Sequence, residues 1–403
     1  MTSGVVFNGS AFHCSIPSAW RYSVDMSSSV LDPDNSLLAD YCAGRQAVLF
    51  ASPMIDALYG AALRRYCEAM LAPGSWRYFV LKTGEHNKTM RSAELVCEHA
   101  KAAGMDRNGV LVAVGGGILC DIVGFAASMY KRGIRYIKVN TTLVGQIDVG
   151  VGVKTGVNHL ASKNMLGSYY PAYASINDQG FLRTLPARQI SCGLAEIIKM
   201  AVILSEELFE LLETHAGSMQ RRRFGPGSAL DAERDRRVLQ LAIQLMMDEL
   251  SPNLQETELA RLVDFGHSFS PAIEIDSGHV LQHGEAVAID MALSACIAVR
   301  MGMLEEGQCR RILALLRACG LPLYDAACCR PALMQAALDD MHLHRGGRIN
   351  LVVPTGIGSA SFIHHLASLP DGLLEQACED LRHHAAPAGA MHDAEPGAVH
   401  GAG

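Results

Sequence analysis

Two groups of residues in this chain have the types and spacings that chemistry needs. The first lies between Val110 and Gly167. Gly115, Gly116 and Gly117 end an apolar run, and Asp121 follows on the first turn of the next segment. Thr141 and Thr142 end a second run, and Asp148, Lys154, Asn158, Lys163 and Asn164 come after it. Polar groups this dense between apolar elements point to a site more than to a surface. A strand ending in three glycines can turn tightly and let backbone N–H groups approach a ligand, and the positive end of the following helix suits a pyrophosphate. The spacing is not G-x-G-x-x-G, and three glycines alone are more often an ordinary tight turn.

The second group is spread over the later half. Glu196 and Lys199 stand three residues apart in GLAEIIKMA, on one face of an otherwise apolar helix. Such a pair is usually an exposed ion pair, but the apolar neighbours place this face partly inside, where a carboxylate needs a partner or a metal. His267 in DFGHSFSP and His283 in LQHGEA would each, alone, be a core or loop histidine. Together with Glu196 they offer two nitrogens and one oxygen, a donor set for a catalytic Zn²⁺ with one position left open. Arg132, Lys154, Lys163 and Arg261, with Asn164, are candidates for a phosphate pocket; the plainer reading is a set of surface charges. Gly152, Gly156 and Gly167 weigh against that for the lysines, because such backbone is usually shaped around something.

These residues need elements to hold them. Ala47–Ala51, Arg77–Leu81, Val110–Val114 and Arg135–Val139 read as strands, with helical spacing over Asp56–Met70 and Met90–Ala103. That alternation predicts an α/β, Rossmann-like domain with a mainly parallel sheet. Ligands gather at the carboxyl ends of such strands. Glu85, Lys88, the three glycines and Thr141–Thr142 all follow predicted strands. After Leu185-Pro186 the pattern turns helical: 191–204, 205–215, 231–250, 283–301 and 305–319, with one strand-like run at Ile349–Val353. The expected domains are a loose arm over 1–20, a nucleotide-binding α/β domain over 21–186, an all-α metal and substrate domain over 187–384, and a disordered tail over 385–403. Arg221-Arg222-Arg223, followed by Phe224-Gly225-Pro226-Gly227, reads as a solvated loop.

Composition narrows the function classes. The 403 residues suffice for two domains with sizeable cores, and 49% apolar content is that of a globular chain. A net charge of −7 without a long basic run argues against nucleic-acid binding. No run of about 18 apolar residues suggests a membrane span. The N-terminus lacks the basic start and apolar core of a signal peptide, and twelve cysteines without C-x-x-C read as reduced thiols, so a cytoplasmic protein is expected.

Taken together, TGEHNKT, GGGILCD, MYKRGI, NTTLVGQIDVGVGVKTGVN, SKNMLG, GLAEIIK, DFGHSF and LQHGEAVA resemble, in order, the dehydroquinate synthase superfamily of sugar phosphate cyclases. The resemblance covers about 47–354. It implies a dehydroquinate synthase-like fold with the active site in the cleft between its domains, bound NAD⁺, a divalent metal (zinc, or another such as Co²⁺) and a homodimer. Carried over by position, it implies Glu196, His267 and His283 as metal ligands. Asp148, Lys154, Lys163, Asn164 and Lys199 would hold substrate hydroxyls and phosphate. Arg132 would reach the phosphate from the neighbouring subunit. Glu85, Lys88, Gly115, Gly116, Gly117, Asp121, Thr141, Thr142, Lys163 and Thr184 fall at cofactor positions.

The departures from that pattern bear on substrate. Dehydroquinate synthases read N-x-G-H-T-F-G-H around the metal histidine; here Asp264 replaces the Asn and Pro271 the second His. Arg261 is one residue off the family's phosphate arginine. Leu250, Asp264 and a late histidine, His342 or His344, are similar to the branch that cyclises sedoheptulose 7-phosphate to 2-epi-5-epi-valiolone. The desmethyl-4-deoxygadusol synthases of the same branch typically carry Ala for this Asp. The implied reaction is transient oxidation at C5 by NAD⁺, loss of phosphate from C7, re-reduction, ring opening and an intramolecular aldol. In it Asp264 orients a substrate hydroxyl or relays a proton. The alternatives are a desmethyl-4-deoxygadusol or 3-dehydroquinate synthase, an NAD-dependent polyol dehydrogenase, and a non-catalytic sugar-phosphate-binding dimer.

Overall fold

A computed structural model describes residues 4–7, 12–15, 21–160, 162–278 and 280–385. The chain divides into two units. One comprises the described residues up to Thr141 together with Val149–Gln179; the other comprises Thr142–Asp148 and the described residues from Gly180.

The first unit begins with the antiparallel pair β1 (Gly4–Phe7) and β2 (Phe12–Ser15). These strands occupy part of the expected arm, and the rest of 1–20 lies outside the described residues. There follow β3 (Ser23–Ser27), α1 (Leu37–Cys42), β4 (Ala47–Ala51), α2 (Pro53–Met70), β5 (Trp76–Val80), α3 (Met90–Ala102), β6 (Val110–Gly115), α4 (Gly117–Met129), β7 (Arg135–Asn140), β8 (Lys154–His159), β9 (Ser162–Tyr169) and β10 (Ala174–Asp178). Six of the strands form one sheet in the order β3-β10-β7-β6-β4-β5, all parallel. β4 and β6 are buried along their whole length, as apolar runs covered on both faces must be. Ser52 caps α2 through Ile55 N, with Pro53 at the first helical position, and Thr89 caps α3 through Ser92 N. Because β5 lies on one side of β4 and β6 on the other, the order reverses between β4 and β6. Crevices for ligands open at the carboxyl ends of strands at such a switch point, and the three glycines end β6 there.

β8 and β9 form a separate antiparallel ribbon in which Gly156 faces Gly167. A Cβ on Gly156 would lie 2.8 Å from Leu166 O, and one on Gly167 would lie 2.4 Å from Thr155 O. This corrects the sequence reading: these two glycines let the strands approach each other, and their smallness is explained without a ligand.

The second unit contains α5 (Ala187–Leu204), α6 (Glu206–Arg222), α7 (Ala229–Leu250), α8 (Ser270–Asp276), α9 (His283–Arg300), α10 (Glu306–Ala318), α11 (Pro331–His344), the hairpin β11 (Leu351–Gly356) and β12 (Ser359–Ile363), and α12 (Leu373–Ala385). Of the expected tail, 385–403, Ala385 closes α12 and the rest lies outside the described residues. Arg221 and Arg222 are not loop residues: they close α6. Arg222 reaches the buried Asp235 at 3.1 Å, and His215 Nε2 is 3.0 Å from the same oxygen. Buried charge on α7 thus recruits a cation that composition assigned to solvent. α5 and α9 are apolar almost all round and fully buried over most of their length, as central helices are. No described helix is long and apolar enough to cross a membrane.

Candidate metal centre and cofactor loop

Glu196 sits at the middle of α5 and is fully buried. His283 opens α9, whose start is fixed by a capping box: Gln282 N donates to Glu285 Oε2 at 2.8 Å. Arg188 of α5 grips the same Glu285, and Gln189 donates to Gln282 Oε1 at 2.7 Å. His267 stands in the loop after a 3₁₀ turn, Leu262–Asp264, its N–H donating to Asp264 O at 2.9 Å. One atom from each of Glu196, His267 and His283 lies within 4.8 Å of the others. His283 Nε2 is 3.2 Å and His267 Nε2 3.8 Å from Glu196 Oε1.

The remaining ring nitrogens are committed elsewhere. His267 Nδ1 donates to Phe265 O at 3.1 Å, and His283 Nδ1 donates to Glu274 Oε1 at 2.8 Å. Both imidazoles therefore aim Nε2 at the carboxylate, the arrangement that orients metal-binding histidines. Neither Glu196 oxygen has a hydrogen bond of ordinary geometry among the described residues, although Lys199 Nζ lies 2.7 Å from Oε2. A buried carboxylate needs such a charged partner. Two nitrogens and one such oxygen are three donors that would leave a fourth position for substrate, the set that fits a catalytic zinc-type cation.

The electrostatics tie these groups to one another. Burial alone would raise the Glu196 carboxyl, but the Lys199 ammonium and the two imidazoles outweigh it and hold it well below the usual range. Burial, with Lys199 nearby, lowers His267, toward the neutral form that a metal-binding imidazole takes. Burial also opposes charge on His283, but the Glu196 and Glu274 carboxylates beside it raise it to about 10, so a cation bound here has to displace a proton from this ring. Burial works against the charge on Lys199 too; Glu196, then Asp148 and Asp264, overcome it. Asp148 is carried by a single π turn, Gly145–Val149, an irregularity frequent at functional sites.

Asp264 is buried and held from two sides. Arg261 bonds both Glu256 and Asp264, and Arg345 Nη2 reaches Asp264 Oδ2 at 3.2 Å. The structure thus occupies Arg261 with two carboxylates. Leu250 is half-buried at the end of α7. Pro271 is exposed in the first turn of α8. His342 and His344 are exposed on the last turn of α11, His344 paired with Asp340 at 3.3 Å. Arg345, just past them, is the residue that touches Asp264, and sequence reasoning missed it. Its position after a helix with two histidines gave no sign of a partner so distant in sequence.

In the first unit the glycine turn lies beside Thr141. α4 starts at Gly117 with no side-chain cap, so its first N–H groups are left for another partner. Thr141 N donates to Gly115 O at 3.0 Å, while the buried Thr141 Oγ1 has no hydrogen-bond partner among the described residues. An unsatisfied hydroxyl beside an uncapped helix start at a switch point fits a dinucleotide phosphate. Lys88 Nζ donates to Asp121 Oδ2 at 2.6 Å and to Asn164 Oδ1, and Asn158 Nδ2 donates to Glu85 Oε1 at 2.8 Å. Asn164, expected among substrate contacts, is thus brought onto the Lys88–Asp121 pair, with its backbone at φ 53°. Lys154 and Lys163 are exposed on the ribbon, and Arg132 is exposed after α4 with φ 67°. Thr142 and Thr184 belong to the second unit; Thr142 Oγ1 accepts from Gly145 N, and Thr184 Oγ1 donates to Phe181 O. A further unforeseen residue is Lys138, buried on β7, whose Nζ donates to Val149 O at 2.7 Å and Gly152 O at 2.8 Å.

Comparison with known proteins adds the following. Residues 78–192 match the family model for the 3-dehydroquinate synthase N-terminal domain, and 193–342 match the model for its C-terminal domain. A 2-epi-5-epi-valiolone synthase of Streptomyces glaucescens is 55% identical over 378 residues, 94% of this chain and 96% of that protein. A demethyl-4-deoxygadusol synthase of Trichormus variabilis is 33% identical over 88% of this chain and 87% of its own length. Among solved structures, the 2-epi-5-epi-valiolone synthase ValA of Streptomyces hygroscopicus subsp. jinggangensis 5008, with NAD⁺ and Zn²⁺ bound, superposes with a TM-score of 0.84. It is 39% identical, and the match covers 92% of this chain and 99% of that one.

Proposed function

The chain belongs to the 3-dehydroquinate synthase family, and on that premise we propose that it cyclises sedoheptulose 7-phosphate to 2-epi-5-epi-valiolone with release of phosphate. The convergence of Glu196, His267 and His283 carries the chemical reading. The 55% identity to a valiolone synthase, against 33% to a gadusol-type synthase, supports the product. When bound, NAD⁺ supplies a reversible hydride acceptor and a divalent cation such as zinc supplies a Lewis acid for a substrate oxygen.

The chain's own residues have the following parts. Glu196, His267 and His283 hold the cation, and the Lys199 ammonium offsets the buried carboxylate and stabilises developing negative charge. Gly115–Gly117, with the free start of α4, receive the pyrophosphate, while Glu85, Lys88, Asp121, Thr141, Thr142 and Thr184 position the rest of the cofactor. Lys154, Lys163, Asn164 and Asp148 bind substrate oxygens. Asp264, fixed between Arg261 and Arg345, orients a substrate hydroxyl; Leu250, Pro271 and His342 shape substrate choice. The reaction is redox-neutral overall, so these groups need to orient substrate and exclude water more than supply a strong base. The proposal extends to a cytoplasmic homodimer in which Arg132 serves the neighbouring subunit's phosphate site, and to a role in making C7-cyclitol natural products, antibiotics among them.

Purified protein with NAD⁺ and Zn²⁺ should release inorganic phosphate from sedoheptulose 7-phosphate without accumulating NADH, and mass and NMR analysis should identify 2-epi-5-epi-valiolone. Accumulating NADH would indicate a dehydrogenase, and a gadusol-type product would reject the product assignment.

A further inference from the structure

α8 and α9 are tied to each other twice, by carboxylates running in opposite directions. From α8, Glu274 accepts the Nδ1–H of His283 at 2.8 Å. From α9, Asp290 accepts the N–H of Phe269 and, at 2.8 Å, that of Ser270, the residues that begin α8. Ser294 Oγ donates to the other Asp290 oxygen at 3.1 Å. Asp290 and Glu274 are both buried. The loop that enters α8 also carries His267, so Asp290 fastens the backbone close to one imidazole while Glu274 fastens the ring of the other.

We infer that Glu274 is a positioning residue of the metal centre: it fixes the ring of His283 so that Nε2 faces Glu196, and Asp290 keeps α8 where Glu274 can do so. This rests on the metal-centre reading above. The two histidines are oriented by different means. His267 leans on a backbone carbonyl, Phe265 O, whereas His283 depends on a side chain. His283 is also the more exposed ring, with a side chain at 42% against 26% for His267. Packing alone restrains it less. A carboxylate on the far nitrogen fixes the tautomer and raises the basicity of the ligating one, and losing such a partner typically weakens metal binding about 10–100-fold.

The test uses the full-length protein stripped of metal, with Zn²⁺ affinity from chelator competition and Co²⁺ as a spectroscopic probe. E274A should bind Zn²⁺ about 10–100-fold more weakly and shift the Co²⁺ visible bands. E274Q keeps an acceptor for Nδ1–H without the charge, so it should fall between E274A and the original protein in both readouts. E213A, which removes a surface pair with Arg311 elsewhere in the same unit, should change neither. Unchanged Zn²⁺ affinity in folded E274A overturns the inference. If E274A does not fold, an E274Q protein identical to the original in affinity and Co²⁺ spectrum overturns it. H283A separates the two levels: if it leaves Zn²⁺ affinity intact, the metal-centre reading itself fails, whereas loss in H283A without loss in E274A rejects only the role of Glu274.

Discussion

Glu196 shows what a residue type can and cannot announce. Its spacing to Lys199 and its apolar neighbours identify a buried acid in need of partners, and the structure gives it Lys199 at 2.7 Å and two imidazoles. Asp290 had no such signature: an acid in a helix is normally an exposed residue, and only its bonds to the backbone at 269–270 show otherwise. Burial raises its carboxyl to about 6, despite those backbone bonds. An acid whose folded pKa lies above its unfolded one contributes stability fully below the unfolded value, and that contribution is lost as pH rises through the folded one. The window here runs from 3.8 to about 6. D290N cannot titrate, so between pH 4 and 7 its stability should rise relative to the original protein by on the order of 3 kcal/mol. Paired denaturation curves across that range measure it, and a pH-independent gap between the two proteins would refute the assignment.

At the scale of elements, α9 does the most positioning. It presents His283 in its first turn, holds the entrance of α8 through Asp290, and packs against α5, which carries Glu196. Gly284 permits that packing: a Cβ there would lie 2.4 Å from Cys192 Cα and 2.5 Å from Cys192 O. Backbone cannot move aside as a flexible side chain can, so G284A should force α9 away from α5. The expected cost is about 1–3 kcal/mol of stability, together with weaker metal binding because His283 is the adjacent residue. Thermal melts and chelator competition check both; a variant as stable and as tight as the original would show that the helices tolerate the methyl group. The long apolar helices and the central strands were legible from periodicity. The short α8, the β8–β9 ribbon and the true extent of α6 were not, because brief or irregular elements are set by their partners and not by local pattern.

For the whole molecule, the proposed metal site would couple cation binding to folding of the helical unit, since Glu196, His267 and His283 come together only when α5, the 264–269 loop and α9 are in place. Zn²⁺ at about 100 times its Kd should therefore stabilise the protein by about 2.7 kcal/mol, a rise in Tm on the order of 5–10 °C for a unit of this size. H283A should show little of that rise, and an equal rise in both proteins would mean that the cation binds elsewhere. The amino-acid sequence by itself determined the parallel α/β unit, the helical unit, the glycine turn and the family, because these follow from periodicity and from motifs that are contiguous in the chain. Only the tertiary structure decided that two distant histidines meet one buried glutamate, that Arg345 reaches Asp264, and that Glu274 stands behind His283. Side-chain convergence depends on how helices cross and where loops enter them, and no local spacing records that.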